Sequence, residues 1–212
     1  MHRAFVYSLI TLVIVGSCLL EYGGARWIGS FSARKQNRIA IALLGGCALA
    51  LAIFGVHIAL TDCLVLVGAL VAGTLLGRQV GSLGALATML TVAAIADLIS
   101  THIGPTRWLA DQAQQTRSIP VLQFLAISIQ WKKELVPVIG IGDLMFFAAV
   151  VSVVRRFGWS ETSTFLVPLA GILSALAVGL LTGLTPALPF LAAAVLLYGR
   201  QRHSLSRQPC RG

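Results

Sequence analysis

An all-α bundle of about seven transmembrane helices is the fold this sequence predicts, with six to eight spans compatible. Three observations lead there. Of the 212 residues, 57% are hydrophobic and 11% are charged, where a soluble domain would carry about 25% charged residues. Several apolar runs reach the roughly 17–25 residues needed to cross a bilayer. Nearly all the basic residues flank those runs, where they orient helices and meet anionic lipid. The net charge of +9 is therefore assigned to the lipid bilayer, and no nucleic-acid partner is expected. The whole chain, 1–212, reads as one integral membrane domain.

The apolar segments lie at about 4–20, 39–57, 63–77, 83–103, 135–154, 163–181 and 184–199. The first three belong to the amino-terminal helices of residues 1–80. A signal peptide ending at Val15-Gly16-Ser17-Cys18 would leave the basic stretch 26–38 outside, against the charge rule. The third is short and carries Gly73-x-x-x-Gly77 beside Gly68, Ala69 and Ala72, small residues that let helix backbones approach closely. The fourth, 83–103, contains Asp97. A long polar connection, 104–134, follows. It holds Gly104-Pro105, Asp111 and a Gln-rich turn, then the apolar stretch Ile119 to Trp131, too short to span and read as an interfacial helix or a strand. Connections this long inside a compact bundle are often functional. The fifth segment contains Gly140-Ile141-Gly142-Asp143. The sixth and seventh meet tightly at Leu181-Thr182-Gly183-Leu184, and Pro186-Ala187-Leu188-Pro189 interrupts the seventh near its start. Residues 201–212 form a basic tail.

With seven spans, Arg26, Arg34, Lys35, Arg38, Arg78, Arg155, Arg156, Arg200, Arg202, Arg207 and Arg211 share one face, and Arg3, Arg107, Arg117, Lys132 and Lys133 the other. The richer face is cytoplasmic by the positive-inside rule. The amino terminus then lies outside, the connection 104–134 is extracytoplasmic and the carboxyl terminus is inside. Small size suggests a prokaryotic cytoplasmic membrane. The four cysteines form no C-x-x-C pair and the four histidines are scattered, so neither a metal site nor any other cofactor is expected.

Of the seven acids, Glu21, Asp62, Asp111, Glu134 and Glu161 fall at segment ends or in connections and read as solvated. Asp97 and Asp143 lie well inside apolar runs, where an ionisable residue is expensive and usually marks a working site. Asp97 lies six residues before Ile103, and Asp143 lies eight residues after Leu135. At 1.5 Å per residue both are roughly 9–12 Å from the face carrying the connection. The Pro186 to Pro189 stretch enters from that face too. Two carboxyl groups held close share a proton and titrate as a pair. One can take a proton from water while the other protonates a carbonyl or leaving amide. Gly140 and Gly142 lack Cβ atoms, so another backbone can approach Asp143. The two prolines remove N–H donors and free nearby carbonyls.

Gly140-Ile141-Gly142-Asp143 followed by Leu144-Met145-Phe146-Phe147, and then Pro186-Ala187-Leu188-Pro189, resembles the presenilin and signal peptide peptidase family of intramembrane aspartyl proteases. The resemblance covers roughly residues 85–200, and the chain looks like a reduced member without two amino-terminal spans. It implies that Asp97 and Asp143 are the catalytic pair, with 83–103 the first catalytic helix and 135–200 holding the second and the Pro-Ala-Leu helix. It also implies that Pro186, Ala187 and Leu188 support the active site and bind substrate. Ser100 stands in the familiar place three residues after Asp97, whereas Ala96 replaces the family's usual aromatic residue. The expected orientation is like that of signal peptide peptidase, whose substrates have a cytoplasmic amino terminus.

The expected activity is endoproteolysis of transmembrane helices or remnant signal peptides, in a protein for which a homo-oligomer is compatible. Rival readings are a prepilin-peptidase-type protease, which shares G-x-G-D without Pro-Ala-Leu, and a proton-coupled transporter, which predicts an internal repeat that is not visible. A catalytically inactive binding member is a third.

Overall fold

The computed structural model describes residues 2–31, 58–104, 126–131, 134–182 and 185–206, with scattered helical positions between 35 and 46. Most of the expected span 39–57, the connection residues 105–125 and the tail residues 207–212 lie outside the described residues. In chain order the described elements are α1 (His2–Gly29), α2 (Ile58–Gln79), α3 (Leu83–His102), β1 (Ala126–Trp131), β2 (Glu134–Gly140), α4 (Ile141–Arg156), α5 (Glu161–Thr182) and α6 (Leu188–Ser206). The architecture is all-α apart from one hairpin. Four helices are long and apolar enough to cross a membrane: Tyr7–Gly29, Leu60–Gln79, Leu83–His102 and Glu161–Thr182. Large apolar side chains such as Leu12, Val92, Ile103 and Leu181 point outward, as suits a lipid solvent.

Helix α4 organises the packing. A helix that is apolar on every side has to be covered on every side, and Leu144, Phe147, Ala148, Ala149, Val150, Val151, Val153 and Val154 are all fully buried. α2 reaches it most closely. A Cβ on Gly73 would strike the Met145 carbonyl and the Ala148 methyl, and one on Gly77 would lie 2.9 Å from the Ala149 carbonyl. Gly73-x-x-x-Gly77 is thus the surface that lets α2 seat on α4. Because Gly68, Gly73 and Gly77 meet Ile141, Met145 and Ala149 in turn, α2 and α4 run parallel. α1 runs the same way, since the Arg155 Nη1 at the end of α4 donates to the Arg26 carbonyl near the end of α1 at 3.1 Å. α5 and α6 form an antiparallel pair, fixed by Gly171 against Leu191 and by the Ser163 and Tyr198 hydroxyls 2.7 Å apart. α3 packs chiefly on α6.

Three expectations need correction. The apolar run 135–154 is not one helix: its first residues form β2, and α4 begins at Ile141. Val136, Val138 and Ile139 are β-branched and Pro137 has no N–H, so this stretch resists helix and suits a strand. β2 pairs antiparallel with β1, and the register shifts between Ile127 and Ser128, next to the Ser128–Pro137 pair; an irregular point is where a sheet tolerates proline. α4 alone has 16 residues and spans about 24 Å, less than the hydrocarbon core. Second, the first helix does not stop before Glu21 but continues to Gly29. Third, Pro186-Ala187-Leu188-Pro189 does not interrupt a helix. It starts one, because α6 begins at Leu188.

Candidate functional site

Asp143 is the third residue of α4, with Gly140 as the cap residue before the helix. Its carboxylate reaches back to accept from the Gly140 backbone N–H. An acid in that position satisfies one of the donors that every helix start leaves open, and sits at the positive end of the helix dipole. The fit is close, since a Cβ on Gly140 would lie 3.3 Å from the Asp143 Oδ2. Gly142 faces open space, with nothing within 4 Å of a Cβ built on it.

Asp97 makes the same kind of contact with a different helix. It sits on α3, and its Oδ2 accepts from the Leu188 backbone N–H at 3.0 Å. The Ala187 N–H faces the same carboxylate. The local sequence explains this. Ala187 has no side chain able to cap α6, and Pro186 and Pro189 bring no N–H of their own. The open donors of Ala187 and Leu188 are therefore met by an acid from a neighbouring helix. Pro186 and Leu188 are buried, and Ala187 and Pro189 partly so. Thr101, one turn beyond Asp97, is buried; its hydroxyl lies within reach of the carboxylate but makes no hydrogen bond of normal geometry. Ser100, on the same turn, accepts from the Gly104 N–H at 3.2 Å through its carbonyl.

The starts of α4 and α6 thus converge, each with a carboxylate on it, and the two carboxyl groups are close enough to interact electrostatically. All nine residues singled out from the sequence are described. Asp97, Ala187 and Leu188 form one contact set, Asp143 and Gly140 a second, and the two acids lie within electrostatic reach of each other; among the described contacts, none joins Pro186, Pro189 or the Ser100 side chain to either set. Gly142 borders the second without touching a side chain. Among the described residues no three His, Cys, Asp or Glu side chains come together as a metal ligand set.

The sequence reading missed Glu21. It is 1% exposed, and neither carboxyl oxygen has a hydrogen-bond partner. It belongs to a stripe of Ile14, Ser17, Cys18, Glu21, Ala25 and Ile28, all buried, repeating at helical spacing along α1. Cys18, on the same buried stripe, lies within electrostatic reach of both Glu21 and Asp143. The available signal was this stripe, which continues through Glu21 without changing face.

No protein-family model, curated protein or solved structure matches the chain. The case for function rests on these residues and their geometry.

Proposed function

We propose that the protein is an intramembrane aspartyl endopeptidase, cleaving membrane-spanning peptides with Asp97 and Asp143. What supports this reading is the meeting of two carboxylates from apolar segments at the starts of α4 and α6, within electrostatic reach of each other and, at Asp97, next to Ala187 and Leu188. Water held between the carboxyl groups attacks the scissile carbonyl carbon while one carboxylate accepts its proton. The other, protonated, donates to the carbonyl oxygen. Collapse of the resulting diol breaks the C–N bond, the amine leaves with a proton, and the pair returns to one shared proton. The N–H groups already bonded to each acid fix the orientation of both without further reorganisation.

The open space at Gly142 supports approach of a substrate backbone to Asp143. The hairpin leads directly into that glycine, so an unwound substrate segment can add as a strand beside it. Seven spans fit this arrangement. α1 and α2 run the same way, as the first and third spans of such a chain would. The basic ends of α1, α2, α4 and α6 then lie in the cytoplasm, with the acids nearer the outer face.

The test is cleavage of a reporter transmembrane peptide by the purified chain. Asp97→Asn and Asp143→Asn should each lower the rate by about 10²–10⁴-fold, the usual worth of a positioned acid or base, with melting temperatures near wild type. Retained cleavage in both variants would end the protease reading.

A further inference from the structure

Helix α3 buries Leu86, Leu90, Ala93 and Thr101, with the partly buried Asp97 between the last two. Spacings of three and four residues put all five on one side of the helix, and α3 packs chiefly on α6. Leu86, Leu90 and Ala93 need no explanation beyond packing. Thr101 does, because it is 6% exposed and valine would fill the same space without a polar atom to satisfy.

Its hydroxyl also departs from a habit of this chain. In a helix, serine and threonine commonly spend the hydroxyl on the carbonyl four residues back. Thr88 and Thr91 of α3 do so, donating to Gly84 and Ala87 at 3.1 and 2.8 Å. Thr11, Ser174 and Thr182 do the same elsewhere. The Thr101 Oγ1 leaves the Asp97 carbonyl alone. It is buried without a hydrogen bond of normal geometry and lies within reach of the Asp97 carboxyl group. A buried hydroxyl left in that state is costly, so a task at Asp97 would account for it.

The chemistry of the neighbours suggests which task. The other groups at this carboxylate are the backbone N–H donors of Leu188, at 3.0 Å, and Ala187. An N–H can only donate, so neither can receive the O–H that Asp97 carries when protonated. A hydroxyl donates and accepts, and it turns to suit.

We propose that Thr101 is a positioning residue for Asp97, its hydroxyl donating to the ionised carboxyl group and accepting from the protonated one as the proton comes and goes. The inference rests on the protease reading, in which Asp97 changes protonation in each turnover, but the contact itself is measured without cleavage. In the full chain in detergent, the infrared C=O stretch of protonated Asp97 is assigned as the band lost in Asp97→Asn. Thr101→Val keeps the shape and removes the hydroxyl, so this band should move to higher frequency as the O–H loses its acceptor. Thr101→Ser should leave it in place. With the reporter peptide, Thr101→Val should lower kcat roughly tenfold, the worth of one hydrogen bond to a charged group, with KM unchanged, and Thr101→Ser should restore it. Thr101→Ala is expected to match valine and covers the case in which the valine variant does not fold. An unmoved band, or a kcat equal to wild type in Thr101→Val, overturns the proposal while wild-type cleavage leaves the protease reading standing. A shifted band in a wild-type chain that cleaves nothing keeps the contact and removes the protease reading.

Discussion

The two ends of this bundle treat helix termini in opposite ways. At one end the starts of α4 and α6 receive the carboxylates of Asp143 and Asp97. At the other, the finishes of α1 and α2 receive the guanidinium groups of Arg155 and Arg156. Both follow from helix physics, since N-termini expose N–H donors and C-termini expose carbonyls. The difference lies in what else the charged groups can do. The arginines are mostly engaged in joining helices, and Glu161 links Arg26, Arg155 and the Tyr22 hydroxyl into one network. The two aspartates are partly buried and lie within electrostatic reach of each other, and Asp143 follows Gly142, where a Cβ would meet nothing within 4 Å. One end is built to hold helices together, and the other gathers the carboxyl groups proposed to react.

The sharpest way to break this contrast is to cross the readouts. Asp143→Asn should cost activity by the 10²–10⁴-fold expected of a proton-transfer residue and leave stability nearly unchanged, because the amide oxygen still accepts from Gly140. Activity is read with the reporter peptide and stability by thermal unfolding in the same detergent. An Asp143→Asn variant that unfolds as readily as it loses activity would make the acid end structural too.

Glu21 belongs to neither end and sharpens the rule. It is a buried acid with no helix terminus to serve and no partner for either oxygen. Leaving a buried polar group unsatisfied costs about 1–3 kcal/mol. Glu21→Leu should therefore stabilise the protein by about 2 kcal/mol, seen as a higher melting temperature. If cleavage falls as stability rises, Glu21 is retained for function at the expense of the fold, as active-site groups often are. A loss of stability would mean that the carboxyl group has a satisfying partner.

Arg156→Gln tests the basic end. It removes the bonds to Gly77 and Val80 and should destabilise by about 1.5 kcal/mol, the low end for hydrogen bonds from a charged donor, with cleavage per folded molecule unchanged. A selective loss of activity would erase the division between the ends.

Much of this was legible in the sequence, and the failures have physical causes. The apolar runs at 83–103 and 163–181 become Leu83–His102 and Glu161–Thr182, because Ser82 caps the first and Ser160 accepts from the Ser163 N–H at the second. Asp97 and Asp143 stood out because charge is rare in apolar runs. What hydrophobicity could not separate was an apolar strand from an apolar helix, so β2 was merged with α4. Glu21 was lost because an acid at the apparent end of a run looks solvated until the helix is known to continue. The proline pair gave two signals at once. Proline breaks a helix interior and also favours a helix start, and only the short α5–α6 connection shows that the second applies.

The smallest effect separates the two tasks that fall on Asp97. As the acceptor for Leu188, it caps α6; as a coupled acid, it is proposed to move protons. Asp97→Ala removes both, while Asp97→Asn keeps an oxygen for the N–H and loses the titratable group. Losing a cap costs about 1 kcal/mol, so the alanine variant should melt lower than wild type and the asparagine variant close to it. Both should be inactive to the same degree. If asparagine restores stability but not cleavage, the helix start needs only an acceptor and the chemistry needs an acid. If asparagine restores both, Asp97 is a cap, and the carboxylate-bearing end works by the same structural logic as the arginine-bearing one.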